Sequence, residues 1–181
     1  CLGYANQLDW LREQFLAKFT VKFKARLGPE ESDDKSVQIL NRIVTWTNHG
    51  IEYEPDQRHA EIIIDELGLR NKKSSVTPGV KTSNEKDEQD DETCLSRELS
   101  ERYRSVVARG NYLSQDRLDI RFAIKELSRW QCQPRNRDWK RLVRLGKYLA
   151  DRERIVIRYD YQRLTRSIEV WTDTDYAGCR E

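Results

Sequence analysis

Two carboxylates late in the chain, Asp173 and Asp175 in the run Trp171-Thr172-Asp173-Thr174-Asp175, are the residues best placed by type and spacing to do chemistry. On an extended strand, positions two apart share a face, so the pair could hold a hard divalent cation; the plainer alternative is a polar strand end. Adjacent aspartates also occur at Asp33-Asp34, in a polar turn, and at Asp90-Asp91, in a charge-rich run, and both pairs read as solvated charge. A second group is cationic. Arg121, Lys125 and Arg129 recur every fourth residue, and Arg137, Lys140, Arg141 and Arg144 fall on neighbouring turns of a following helix. Each row could bind phosphates, or form an ordinary solvated face. Tyr103, Tyr112, Trp130 and Trp139 interleave with these cations and could stack on sugars or bases, or fill a core. Cys1, Cys94, Cys132 and Cys179 stand far apart and have only His49 and His59 to help them, so zinc spacing is absent and the thiols are expected to be reduced. His49 is expected in a turn and His59 on a helix surface.

The elements that must position these residues follow from the apolar pattern. Leu, Ile, Val and Phe make up 42 of 181 residues, enough for a core, while 35% of the chain is charged. No apolar run approaches the roughly 18 residues of a membrane span, which speaks against a membrane or secreted protein. Methionine is absent and the chain opens on Cys1, so it reads as a piece of something longer. The net charge of +2 conceals a basic region, residues 101–166, with 18 Lys or Arg against 8 Asp or Glu.

Leu8, Leu11, Phe15, Leu16 and Phe19 predict an amphipathic helix, with Asn6 as a capping acceptor. Val37 to Trp46 reads as one strand, turned at Asn48-His49-Gly50 into a second over Ile51 to Glu54. Pro55 suits a first helical position, and Ala60, Ile63, Ile64 and Leu67 give the apolar face of a helix ended by Gly68. Lys72 to Thr93 is polar and reads as a linker, most acidic at Glu85 to Glu92. Three helical patterns follow, through Tyr103, Val106, Val107 and Leu113; Ile120, Ala123, Ile124 and Leu127; and Trp139, Leu142, Val143 and Leu149, with Pro134 separating the last two. Two short strands close the chain, Ile155 to Tyr161 and Ser167 to Thr172.

Tyr103-Arg104-Ser105-Val106-Val107, Asn111-Tyr112-Leu113, Arg117-Leu118-Asp119-Ile120, Leu127-Ser128-Arg129, Trp139-Lys140, Tyr148-Leu149 and the run Trp171 to Cys179 stand in an order that resembles copia-type retrotransposon reverse transcriptases. Weaker matches are Leu27-Gly28, Leu67-Gly68-Leu69 and Thr77-Pro78, and Leu118 stands where the family usually has proline. The resemblance implies an α+β fold: a helix–hairpin–helix palm-end unit over 1–71, a disordered acidic linker over 72–98, a helical thumb and connection over 99–154, and an incomplete ribonuclease H-like start over 155–181. It implies that Asp173 matches the first metal-binding carboxylate of ribonuclease H, with Mg2+ as the parent enzyme's cofactor. No paired aspartates follow an aromatic strand, so the chain alone is expected to lack polymerase activity. Its expected partners are an RNA or DNA template–primer and the rest of a polyprotein, in an intracellular particle or the nucleus. The rival readings are a non-catalytic nucleic-acid-binding module and a helical protein that meets an acidic partner.

Overall fold

A computed structural model describes residues 3–80, 92–162 and 167–172. The protein is α+β, with five helices and one four-stranded antiparallel sheet among the described residues. In chain order these are α1 (Ala5–Lys18), β1 (Ser36–Ile39), β2 (Arg42–Trp46), β3 (Gly50–Glu54), α2 (Arg58–Glu66), α3 (Arg97–Leu113), α4 (Leu118–Ser128), α5 (Asn136–Ala150) and β4 (Ile157–Asp160).

The expected N-terminal helix forms, but it buries no residue: Phe15, Leu16 and Phe19 are exposed. Its cap position is Tyr4, in extended conformation and without a side-chain cap bond, while Asn6, inside the first turn, accepts from the Gln7 amide through Oδ1 at 3.0 Å. A compact loop follows, in which Asp33 and Asp34 are structural rather than simply solvated. Asp33 accepts from the Glu30 amide at 3.2 Å, Asp34 accepts from the Arg26 amide at 3.2 Å, and Lys35 Nζ donates to the Gly28 carbonyl at 2.8 Å.

The stretch expected as one strand is folded into two. Leu40 and Asn41 have φ of 50° and 63°, the left-handed pair that a two-residue hairpin turn needs, and Val37 comes to lie opposite Val44. The β2–β3 connection falls where expected, with Thr47 Oγ1 accepting from the Gly50 amide at 3.1 Å. The sheet order is β1-β2-β3-β4. Of the two short strands expected to close the chain, the first forms as β4 and pairs with β3, Tyr53 opposite Ile157, as an addition to the earlier sheet, and Ser167–Thr172 forms no strand. Arg154 reinforces this choice by gripping Glu54 through Nε and Nη2, each at 2.8 Å, and Tyr161 packs its ring 5.4 Å from Trp46.

α2 starts three residues after Pro55, with the Asp56 carboxylate accepting from the Arg58 amide at 3.0 Å, and Gly68 ends it at φ 65°. Burial of an apolar face, at roughly 25 cal/mol per Å², is what holds the helices together. Ala60, Ile63, Ile64 and Leu69 share one core with Tyr103, Val106, Val107, Leu113, Ile120, Ile124, Leu127, Leu142, Leu145 and Leu149. The described flanks of the acidic stretch lie against this core: Leu95 is buried with its amide on the Pro134 carbonyl at 3.0 Å, and the Ser75 amide reaches the Lys147 carbonyl at 3.3 Å.

Candidate nucleic-acid interface

α4 begins at a buried cation. The Arg117 side chain is only 1% exposed, and an unpaired buried guanidinium would be very costly. It is satisfied by a fork: Nε and Nη2 donate to the two Asp119 oxygens at 2.9 and 2.7 Å, and Nη1 donates to the Arg152 carbonyl at 2.9 Å. Tyr148 OH adds a donor to Asp119 at 2.9 Å. Burial raises the Asp119 pKa, but the Arg117 fork outweighs it and holds the carboxyl below its ordinary range. This network ties the entrance of α4 to α5 and to the chain leading into β4.

With Ile120, Ile124 and Leu127 committed to the core, helical geometry turns Arg121, Phe122 and Lys125 outward. Phe122 is 71% exposed, Leu118 beside it is also exposed, and Lys125 Nζ stands 5.6 Å from the Phe122 ring centroid. Lys125 and Arg129 both approach Glu126, at 3.7 and 3.6 Å, and Arg129 caps the helix C-terminus. The first cationic row is therefore an exposed helix face.

The second row divides. Asp138 is fully buried in the first turn of α5, where it accepts from the Arg135 amide at 3.0 Å; burial raises its pKa, and its other oxygen has no hydrogen-bond partner among the described residues. Arg137 and Arg141 approach that oxygen at 3.9 and 3.6 Å, so both help to neutralise a buried charge. Arg144 Nη2 donates to Thr77 Oγ1 at 3.0 Å, while Lys140 is exposed. Beside this helix start lies a feature that spacing did not single out. Glu92 places one oxygen 2.6 Å from Arg135 Nη1 and the other 2.9 Å from Arg137 Nη1. Both guanidinium groups lie over the Trp130 ring, 5.7 and 4.8 Å from its centroid. Arg135 was legible only as a cation just after Pro134, and Glu92 only as the last member of an acidic run.

The aromatic residues separate in the same way. Tyr103 is core, donating its hydroxyl to the Leu127 carbonyl at 2.8 Å, and Trp139 packs against the core beneath Arg102. Tyr112 lies against His59, ring centroids 4.6 Å apart. His59 is thus half-buried rather than on the helix surface, near Asp56 at 3.7 Å, and burial lowers its pKa. Asp173, Asp175 and the pair Asp90-Asp91 lie outside the described residues, and among the described residues no three His, Cys, Asp or Glu side chains converge on a metal position. Cys94 and Cys132 are exposed free thiols. No described helix is long and apolar enough to cross a membrane.

Comparison with protein families, with curated proteins and with solved structures finds no match to this chain.

Proposed function

We propose that the chain belongs to a copia-type retrotransposon polyprotein and helps its reverse transcriptase to grip template–primer nucleic acid. The observation that carries this reading is the outer face of α4, where Arg121 and Lys125 stand one turn apart beside exposed Phe122, on a helix whose opposite face is core. Cations on a rigid helix meet a phosphate backbone without sequence preference, and an exposed aromatic ring can stack on a base or sugar. The parent reaction would be magnesium-dependent addition of deoxynucleotides to a primer, with ribonuclease H removing the RNA strand. This segment would contribute position, and Asp173 would be a first carboxylate for the metal in the ribonuclease H part.

The test is affinity for an RNA–DNA hybrid, measured at several salt concentrations, for the protein and for Arg121→Gln/Lys125→Gln. Loss of two phosphate contacts should weaken binding to unrelated sequences alike and make the logarithmic salt slope shallower by up to about 0.9 per contact, a value calibrated on B-form DNA. Unchanged affinity and slope with the fold intact would overturn the reading. A second reading, an acidic protein partner, draws on the apolar pair Leu118 and Phe122 beside the same cations. It gains if hybrid does not bind at all.

A further inference from the structure

Arg135, Arg137 and Trp130 form a built anion site. Two guanidinium groups converge from the start of α5, each supplying an Nη donor to a different oxygen of one carboxylate, at 2.6 and 2.9 Å. The Trp130 ring stabilises both cations from one side. The loop carrying Trp130 is itself pinned, because Arg104 donates from Nε to the Gln131 carbonyl at 2.8 Å and from Nη2 to the Cys132 carbonyl at 3.0 Å. Arg137 is mostly buried, its side chain 15% exposed, and the fork is thus preorganised. Its occupant is less fixed: the Glu92 side chain is 52% exposed, and water can compete for it.

An arginine pair that binds two oxygens of one carboxylate has the donor geometry for two oxygens of a phosphate. We propose that this fork is a phosphate-binding site for nucleic acid and that Glu92 fills it as an internal anion, holding the protein in a self-competed state. The inference rests on the nucleic-acid reading above and adds its regulation: a backbone phosphate must displace the Glu92 carboxylate before it can use Arg135 and Arg137. Glu92 closes the run Glu85-Lys86-Asp87-Glu88-Gln89-Asp90-Asp91-Glu92, so the competitor is tethered to the chain that carries its site. A tethered ligand acts at a fixed effective concentration, and its removal shows as a gain in apparent affinity for the outside ligand.

The experiment compares an RNA–DNA hybrid titration of the protein with that of Glu92→Gln, at several salt concentrations and with circular dichroism as the folding control. Glu98→Gln, at an exposed carboxylate in the first turn of α3, makes the same change in net charge away from the fork. Arg135→Gln is added to Glu92→Gln as the reversal. Glu92→Gln should bind several-fold more tightly than the parent and with a steeper salt slope. Glu98→Gln should stay near the parent, and the double variant should lose most of the gain. Equal gains from Glu92→Gln and Glu98→Gln, or a gain that survives Arg135→Gln, would make the effect one of net charge and overturn the proposal. Binding by the parent that is unchanged in Glu92→Gln overturns it too and leaves the α4 reading standing. If neither parent nor Glu92→Gln binds hybrid, both readings fall.

Discussion

Arg117 shows how a single side chain can organise several elements. All three of its bonding nitrogens are used, two on Asp119 and one on the Arg152 carbonyl, so Arg117→Met should cost about 3 kcal/mol, the low end for a broken buried pair because Asp119 keeps some contact with water. Arg117→Lys should recover little, since one ammonium cannot reproduce the fork. Urea midpoints of the two variants check both statements, and a loss below about 1 kcal/mol in Arg117→Met would show that the network is dispensable. His59 offers a test by pH. Its pKa is lowered chiefly by burial, with Arg58, Arg109 and Arg42 adding to the effect against the opposing pull of Asp56. The unfolded chain then takes up a proton first as pH falls through 6.5, so the contribution is full above that pH and declines below it. His59→Phe keeps a ring against Tyr112 and should lack this loss. Its stability difference from the parent should therefore move in the variant's favour between pH 7.5 and 5.5. A difference that stays constant would refute it. Glu54, lowered mainly by Arg154, loses its contribution at lower pH, below the ordinary glutamate range, and Asp138, raised by burial, has the opposite sign.

At the scale of elements, helices carried by strong apolar periodicity and the β2–β3 hairpin are legible in the sequence, while the β1–β2 turn and the β3–β4 pairing are not. The faces through Tyr103, Val106 and Val107, through Ile120 and Ile124, and through Leu142 and Leu149 are buried as their spacing predicts. Val37 to Trp46 misled because β-branched residues continue on both sides of Leu40-Asn41, and Leu40 gives no sign of a left-handed turn. Leu118 is the first residue of α4, where a proline's fixed φ fits and a helix amide has no intrahelical acceptor. Leu118→Pro should therefore be neutral or stabilising, by up to about 1 kcal/mol, as judged by thermal unfolding. A larger destabilisation would show that the Arg117 network needs a freer entrance. In β3, a Cβ on Gly50 would collide with the Tyr159 carbonyl. Gly50→Ala should cost about 1–3 kcal/mol and raise amide exchange at Tyr159 and Tyr161, with α3 to α5 still protected.

For the molecule as a whole, charge is arranged by two separate needs. Part of the basic character seen in residues 101–166 serves the protein's own groups, with Arg117 on Asp119, Arg137 and Arg141 beside buried Asp138, Arg135 on Glu92 and Arg154 on Glu54, and part faces outward on α4 and at Lys140. Spacing alone placed Arg121 and Lys125 on an outer face but could not tell that Arg137 and Arg141 serve a buried carboxylate, because Asp138 looks in sequence like any acidic first-turn residue. It also could not pair Glu92 with Arg135, which are 43 positions apart. The same long-range character governs the sheet. β1, β2 and β3 are neighbours joined by tight turns, and such local pairings close quickly. β4 must wait, since Glu54 and its partner Arg154 are 100 positions apart with α2 to α5 between them. Until that closure the Gly50–Glu54 strand presents a bare edge of amides and carbonyls to solvent, a template for any other unfinished chain. Crowded synthesis or rapid dilution from denaturant should therefore yield aggregates seeded at this edge, and lowering the chain concentration during refolding should suppress them.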